Sequence, residues 1–273
     1  MNILVTLNKN YLPYLISLIR SINDNNKNTL FDFYVFSNDI TLKDIKKYDK
    51  YLDKTNKYFI INIPKEDFKN APISKRYPYE MYYRIFASKY LPSSLDRILY
   101  LDPDIIVKGN LSNLYNINFE GNYYAGCTNI RKVLKRINQI KNGAEKDNEY
   151  INTGVLMINL STLREHLNEE AVYNFIEDKK YLLTLPDQDV ISTLYGKKIL
   201  LLNTYIYNLS EKMIKLHNLS QKEDKIDLDC VEKNTIIIHY LGRNKPWKEN
   251  YKGILLPYYK KYEVCKICKP YGI

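Results

Sequence analysis

The stretch RILYLDPDIIVKG, Arg97 to Gly109, sets two aspartates, Asp102 and Asp104, inside an apolar run with only Pro103 between them. Its first five residues, RILYL, have the length of a buried strand, which ends where Asp102 begins. In open α/β sheets, ligands bind beyond the carboxyl ends of the strands. Residues two apart in an extended segment point the same way, and Pro103, which cannot donate a ladder hydrogen bond, suits a chain leaving a sheet. Asp102 and Asp104 can therefore converge on one point. Two like charges that close raise each other's pKa unless a cation sits between them, and hard oxygen ligands favour Mg²⁺ or Mn²⁺. A second pair of the same spacing, Asp227 and Asp229 in KIDLDC, lies among charged residues and reads as surface.

Upstream, ILVTL (3–7), FDFYVFSND (31–39) and KYFIINI (57–63) read as strands. Between them, Leu12, Leu15, Ile16, Ile19 and Ile22 recur at helical spacing with Pro13 in a first turn. Residues 39–52 also have helical spacing, with Thr41 as N-cap and Asp44 at the capping-box position. This β-α-β-α-β order predicts an α/β fold with an open, largely parallel sheet and helices on its faces. A helix-like segment at 76–90 leads into RILYL. Downstream come a short strand at 122–127, a polar basic stretch at 130–149 and a strong strand candidate, YINTGVLMINL (150–160). Helices are expected over 161–180 and 187–195, and KILLL (198–202) and NTIIIHYL (234–241) are the last apolar runs. No internal repeat and no Gly/Ser linker divides the chain. The simplest partition is one domain over 1–248 with a basic, aromatic extension over 249–273.

The 273 residues are 45% hydrophobic and 26% charged, as in a globular protein with room for a sizeable core. No run approaches the ~18 apolar residues of a membrane span. MNILVTLNKNYLPYL lacks a basic region followed by an apolar stretch and a small-residue cleavage site, so cytoplasmic residence is the expectation. Cys265 and Cys268 form a lone CxxC without the other ligands of a structural zinc site, so these and Cys127 and Cys230 read as free thiols. The net charge is +10, and +6 of it lies in the last 31 residues, which points to an anionic partner or to a solvated lysine-rich surface. Among three histidines, His166 and His217 sit in polar contexts, while His239 ends the apolar run NTIIIHYL and precedes GRNKPW. A histidine at a strand end can complete a site with two carboxylates; alone it reads as a satisfied core residue.

LYLDPDIIV, YINTGVLMINL, LPDQDV and HYLGRNKPW occur in that order, with ILVTLNKNYLPYL at the start and MYYRIFA before the aspartates. Over residues 2–248 the chain resembles the retaining glycosyltransferases of family 8, which include bacterial lipopolysaccharide α-galactosyl- and α-glucosyltransferases and glycogenin. The resemblance implies the GT-A fold, a single Rossmann-like domain with a mostly parallel mixed sheet. It also implies a UDP-sugar donor with Mn²⁺ or Mg²⁺, and transfer of glucose or galactose to a glycan or lipid-linked saccharide.

By that resemblance, Asp102, Asp104 and His239 are the metal ligands, and Lys245 and Gly242 meet the donor diphosphate. A point charge at Lys245 and a close backbone approach at Gly242 suit that task, while Pro246 and Trp247 fix the loop. Thr6, Asn8 and Asn10 align with the segment that holds uridine, and Tyr11 either stacks on uracil or packs as a helix-start aromatic. Asn8 replaces the usual acidic residue, and its amide oxygen still accepts from a uracil N–H. Arg84 aligns with a donor-sugar and phosphate contact, Asn152 with a sugar-hydroxyl contact and Gly154 with a close backbone approach. Asn129 stands where relatives often carry aspartate. Asp187 and Gln188 come nearest the anomeric carbon. An amide is barely basic, so same-face attack fits better than a covalent intermediate on Gln188.

Residues 131–148 carry six basic and two acidic side chains and are expected to close over the site as a loop or short helix. The tail YKGILLPYYKKYEVCKICKPYGI interleaves lysine with apolar residues, which suits shallow binding to an anionic membrane; the alternative is a solvated tail packed on the domain. Two rival functions share parts of this pattern. A haloacid-dehalogenase phosphatase also uses DxD, but near its N-terminus and followed by threonine, whereas Ile105 and Ile106 follow here. A catalytically degenerate UDP-sugar or glycan-binding module would not need the complete triad and Lys245. GxGxxG and GxxxxGK[ST] are both absent, and no nucleic-acid-binding motif is present.

Overall fold

A computed structural model describes residues 1–68, 71, 78–129, 132–220 and 224–264. Nine strands form among them: β1 (Asn2–Thr6), β2 (Asp32–Phe36), β3 (Lys57–Ile61), β4 (Arg97–Leu101), β5 (Ile105–Val107), β6 (Tyr124–Cys127), β7 (Asn152–Asn159), β8 (Ile199–Leu202) and β9 (Ile237–His239). Seven build one sheet in the order β3-β2-β1-β4-β7-β6-β8, and β5 and β9 form a separate antiparallel pair. β1/β2, β2/β3, β1/β4 and β6/β8 run parallel, whereas β7 is antiparallel to both β4 and β6. The mostly parallel mixed sheet expected from the sequence is the one observed.

Strand order reverses at β1, which has β2 on one side and β4 on the other. A crevice opens beyond the carboxyl ends of two strands at such a switch point. Thr6 ends β1 and Asp102 follows β4, so both stand at its rim.

Alternation along β4 splits the core between the two faces of the sheet. Leu99 and Leu101 pack with Ile3, Val5 and helix Leu12–Asn25. Ile98 and Tyr100 pack on the other face with Tyr82, Phe86 and Val190. The helix Leu12–Asn25 buries the apolar positions whose spacing predicts it, and its polar residues do the positioning. Ser21 Oγ accepts the Val107 N–H at 3.0 Å, and Asn25 Nδ2 donates to Val107 O at 3.0 Å. β5 is thus clamped to the helix, and β9 follows through its register with β5. A third cluster gathers Ile106, Leu209, Ile238, Tyr240, Leu255, Tyr259 and Tyr262, so residues 251–262 pack beside the small sheet.

Three elements differ from expectation. The helix predicted over 39–52 is Leu42–Lys46 followed by a 3₁₀ turn, Asp49–Tyr51. Tyr48 and Tyr51 N–H groups bond to carbonyls three residues back, tightening the chain there. Asp44 does reach back to the Thr41 N–H at 3.1 Å, and its carboxylate also meets Lys9 at 2.8 Å. The segment predicted as a helix over 76–90 breaks into Glu80–Tyr83, a 3₁₀ turn at Arg84–Phe86, and Ala87–Tyr90. β5 is a third difference: three apolar residues after Asp104 form a strand that the sequence pattern does not predict. The basic stretch forms a helix, Lys132–Asn142. The CxxC and its flanking lysines lie outside the described residues, as do Ile130 and Arg131. Of the described cysteines, Cys127 is buried, and burial pushes its thiol up to about 12, away from reactivity.

Candidate functional site

Asp102 leaves β4 with its N–H bonded to Gly154 O at 2.8 Å. Asp104 precedes β5, and its carbonyl accepts the Tyr240 N–H at 3.0 Å. The β5/β9 register sets Ile105 opposite His239, which delivers the imidazole to the carboxylates. His239 Nε2 lies 3.2 Å from Asp104 Oδ1 and 3.7 Å from Asp102 Oδ2. One ligand atom from each of the three residues lies within 4.8 Å of the others. The aspartates two apart in sequence do converge, and a residue more than 130 positions away completes the cluster.

Gly154 keeps the space for this cluster. A Cβ there would stand 2.2 Å from His239 Cε1 and 2.6 Å from Asp102 Oδ2. Two hard carboxylate oxygens and one imidazole nitrogen are a donor set for Mn²⁺ or Mg²⁺, so the residues fit the cation that the resemblance implies. Lys245 Nζ pairs with Asp104 Oδ2 and donates to Tyr240 O at 2.9 Å. Burial would raise the Asp104 carboxyl, but the Lys245 ammonium and then His239 outweigh it and hold it well below the ordinary aspartate range.

Arg84 lies under the cluster, 6% exposed. Its Nη1 is 3.0 Å from Asp102 Oδ1, 3.3 Å from Asp187 Oδ2 and 3.1 Å from Thr153 O. Its guanidinium stacks 4.1 Å over the Tyr100 ring. The Tyr100 hydroxyl donates to Asp102 Oδ1 and stands 3.1 Å from Thr6 Oγ1, bridging the ends of β4 and β1. Burial opposes the Arg84 charge, and Asp102, Tyr100 and Asp187 more than compensate, raising it further above its ordinary value. Burial also raises the Asp187 carboxyl, with Arg84 pulling the other way.

Between Gly126 and Cys127 the β6/β7 register shifts, so that Gly126 pairs with Leu156 but Cys127 with Asn152. Thr153 Oγ1 donates to Asp187 Oδ2 at 2.5 Å, and Asn152 Nδ2 donates to Gln188 Oε1 at 2.7 Å. Asp187 and Gln188 open the helix Pro186–Leu194. Asp189 anchors that helix start. It is fully buried and accepts from Thr184 N (2.8 Å), Leu185 N (3.2 Å), Tyr150 OH (2.8 Å) and Asn142 Nδ2 (3.0 Å).

The other residues named from the sequence spread around this centre. Asn8 caps the 3₁₀ turn Lys9–Tyr11, its Oδ1 accepting the N–H of the exposed Asn10 at 3.1 Å. Tyr11 is half-exposed and packs edge-on to Tyr14 and Trp247. Burial raises its hydroxyl pKa, and the charges of Lys245, Asp104 and Asp102 reach it. Trp247 stacks on Tyr14 at 3.7 Å, which ties the GRNKPW loop to the first helix. Gly242 takes φ +89°, a conformation side-chain-bearing residues rarely adopt, with open space around it. Asn129 lies just beyond β6, and neither amide atom of its side chain has a hydrogen-bond partner although both are buried. A buried amide without partners points toward a polar ligand. His166 and His217 lie on helices away from the cluster, and Asp227 is an N-cap, accepting from Cys230 N.

Sequence reasoning missed Tyr100, Thr153, Asn208 and Asp189. Tyr100 had a findable signal, since it sits two residues before Asp102 in the same strand. Asn208, in the unremarkable segment NTYIYNLS, had none.

Residues 2–251 match the model of Glycosyl transferase family 8. The chain is 27% identical over 269 residues to the lipopolysaccharide 1,2-glucosyltransferase of Escherichia coli K12, covering 97% of this chain and 77% of that protein. It is 25% identical over 258 residues to the lipopolysaccharide 1,3-galactosyltransferase of Salmonella typhimurium, covering 90% and 72%. The crystal structure of the galactosyltransferase LgtC in complex with donor and acceptor sugar analogues superposes with a TM-score of 0.80 at 22% identity, over 96% of this chain and 95% of that one.

Proposed function

The chain belongs to glycosyl transferase family 8, and from that premise we propose that it moves glucose or galactose from a UDP-sugar to a glycan or lipid-linked saccharide, with retention and an α-linkage. The observation that carries this reading is the convergence of Asp102, Asp104 and His239 at the β1/β4 switch point, with Lys245 beside them. Asp102, Asp104 and His239 would hold Mn²⁺ or Mg²⁺, which when bound neutralises the charge that grows on the departing diphosphate.

The chain's own residues do the rest. Lys245 turns from Asp104 to the diphosphate as a point charge. The segment Thr6, Asn8, Asn10 and Tyr11 takes the uridine. Arg84, neutralised by Asp102 and Asp187, stiffens the floor of the site. Asn152, Gly154 and the unpartnered Asn129 face the donor hexose, and Asn129 bears on which hexose fits. Asp187 Oδ2 is already engaged by Thr153 and Arg84, and the Gln188 amide is barely basic. Both therefore act better as positioning groups than as nucleophiles. We favour attack on the face the phosphate leaves, with the leaving phosphate oxygen taking the acceptor's proton.

The extension over 249–273 is the segment we assign to contact with an anionic membrane surface on the cytoplasmic side, where a lipid-linked acceptor would be met. Its charge supports this: Lys252, Lys260, Lys261, Lys266 and Lys269 stand against Glu249 and Glu263 there. No helix among the described residues is long and apolar enough to cross a membrane. A thermal-shift panel of nucleotide sugars with and without Mn²⁺ tests the whole reading. A UDP-hexose that stabilises only with the metal, followed by UDP release on adding acceptor, is the expected result. Release of free phosphate from phosphomonoesters, or binding without turnover, would overturn it.

A further inference from the structure

Asn208 is fully buried and follows the short helix Thr204–Tyr207. It is held against β9. Leu209 N donates to Ile237 O at 3.1 Å, and His239 N donates to Leu209 O at 2.8 Å. Its side chain links His239 to the Asn152–Gln188 side of the site, a second bridge beside the one Arg84 makes between Asp102 and Asp187.

The direction of this connection is fixed by a donor that cannot reverse. The Gly154 backbone N–H donates to Asn152 Oδ1 at 3.2 Å. Asn152 Nδ2 therefore faces Gln188 Oε1, at 2.7 Å. Asn152 Oδ1 takes a second hydrogen bond, from Asn208 Nδ2 at 2.9 Å. That leaves Asn208 Oδ1 facing His239 Nδ1 at 2.9 Å. An amide oxygen can only accept, so Nδ1 of the imidazole carries a proton, and Nε2, which faces Asp104 and Asp102, is the nitrogen left for a cation.

We propose that Asn208 is the positioning residue that holds His239 in the Nδ1–H tautomer, with Nε2 open to a cation, and couples it through Asn152 to Gln188. The inference rests on the metal-site reading above and deepens it. A ligating histidine needs a bare nitrogen toward the cation, and an acceptor on its other ring nitrogen fixes ring orientation and raises basicity. Asn208 supplies that acceptor from the same amide that orients Asn152.

The test measures Mn²⁺ affinity by electron paramagnetic resonance of the free ion, in the presence of UDP, together with ring ¹⁵N spectra of histidine-labelled protein. With only three histidines in the chain, His239 is readily assigned. Asn208→Ala should weaken Mn²⁺ binding by about 10- to 100-fold and abolish the Nδ1–H signature while the melting transition remains cooperative. Asn208→Asp keeps an acceptor for Nδ1–H but loses the donor to Asn152. It should leave Mn²⁺ affinity undiminished while kcat falls, and an unchanged kcat would remove the coupling to Gln188. A folded Asn208→Ala with native Mn²⁺ affinity and a native ring spectrum would overturn the proposal. If that variant does not fold, the native protein decides, because an Nδ1 of His239 without a proton, in the Mn²⁺-loaded or metal-free protein, refutes it. His239→Ala separates the two levels. If it leaves Mn²⁺ affinity intact, the metal-site reading fails; if it lowers affinity and Asn208→Ala does not, only this inference fails.

Discussion

Gly154→Ala adds one methyl group at the point where the site has least room. The new Cβ would stand 2.2 Å from His239 Cε1 and 2.6 Å from Asp102 Oδ2. An ordinary contact begins at 3.4 Å, so the imidazole must retreat by about 1.2 Å and the carboxylate by about 0.8 Å, or β7 must shift by comparable amounts. Metal–ligand distances tolerate only about ±0.2 Å. The displacement is several times that tolerance, so the substitution should act as loss of a ligand. Mn²⁺ affinity should fall by at least the ~10- to 100-fold seen when a ligand's supporting partner is lost. The fold should survive, because the overpacking costs about 1–3 kcal/mol and is local. Metal titration followed by electron paramagnetic resonance, with thermal unfolding in parallel, measures both. A folded Gly154→Ala protein with native Mn²⁺ affinity and native transfer would refute the claim that this glycine exists to seat the triad.

Four further outcomes are expected. Asp102→Asn or Asp104→Asn should abolish metal-dependent transfer while leaving a cooperative melting transition, and normal activity in either would remove the metal assignment. Lys245→Ala should weaken UDP binding measured by calorimetry, and unchanged affinity would contradict its role at the diphosphate. Arg84→Ala strands two carboxylates, Asp102 and Asp187, beneath the site, and breaking such a buried pair costs about 3–5 kcal/mol; a melting temperature equal to the native one would show that Arg84 is not structural. Asp44 is held well below the ordinary aspartate range by Lys9, then Lys47 and Thr41. A depressed carboxyl contributes stability above its unfolded pKa and loses it as pH falls. Asp44→Asn should therefore lower stability at neutral pH and flatten the acid side of the stability curve, and identical curves would discount the Lys9–Asp44 tether of the Asn8–Tyr11 turn.

Period-two alternation and strand-end chemistry made much of this site legible. RILYL, ILVTL and YINTGVLMINL became β4, β1 and β7, and Asp102 and Asp104 stand where a strand end places them. What stayed hidden depends on pairing between distant segments. Three apolar residues, Ile105–Val107, give too short a pattern to declare a strand until β9 pairs with them, and that pairing is what delivers His239. The β6/β7 register shift, which pairs Cys127 with Asn152, leaves no trace in local spacing. The break at Arg84 is similarly invisible, because MYYRIFASKY suits a continuous helix equally well. Asp189 resembles its neighbour Asp187 in sequence, and only the four hydrogen bonds around it separate an anchor from a site residue. Asn208 is polar, buried and far from any motif, so only coordinates connect it to His239.

The central claim is that two carboxylates and one imidazole share a cation at the end of β4. Anomalous diffraction from a crystal soaked in Mn²⁺ and UDP tests it most directly. A single manganese peak in bonding contact with Asp102, Asp104 and His239 Nε2, and with the UDP diphosphate, is the predicted result. Nucleotide bound in the crevice with manganese elsewhere, or with His239 Nε2 turned away from it, would contradict the account.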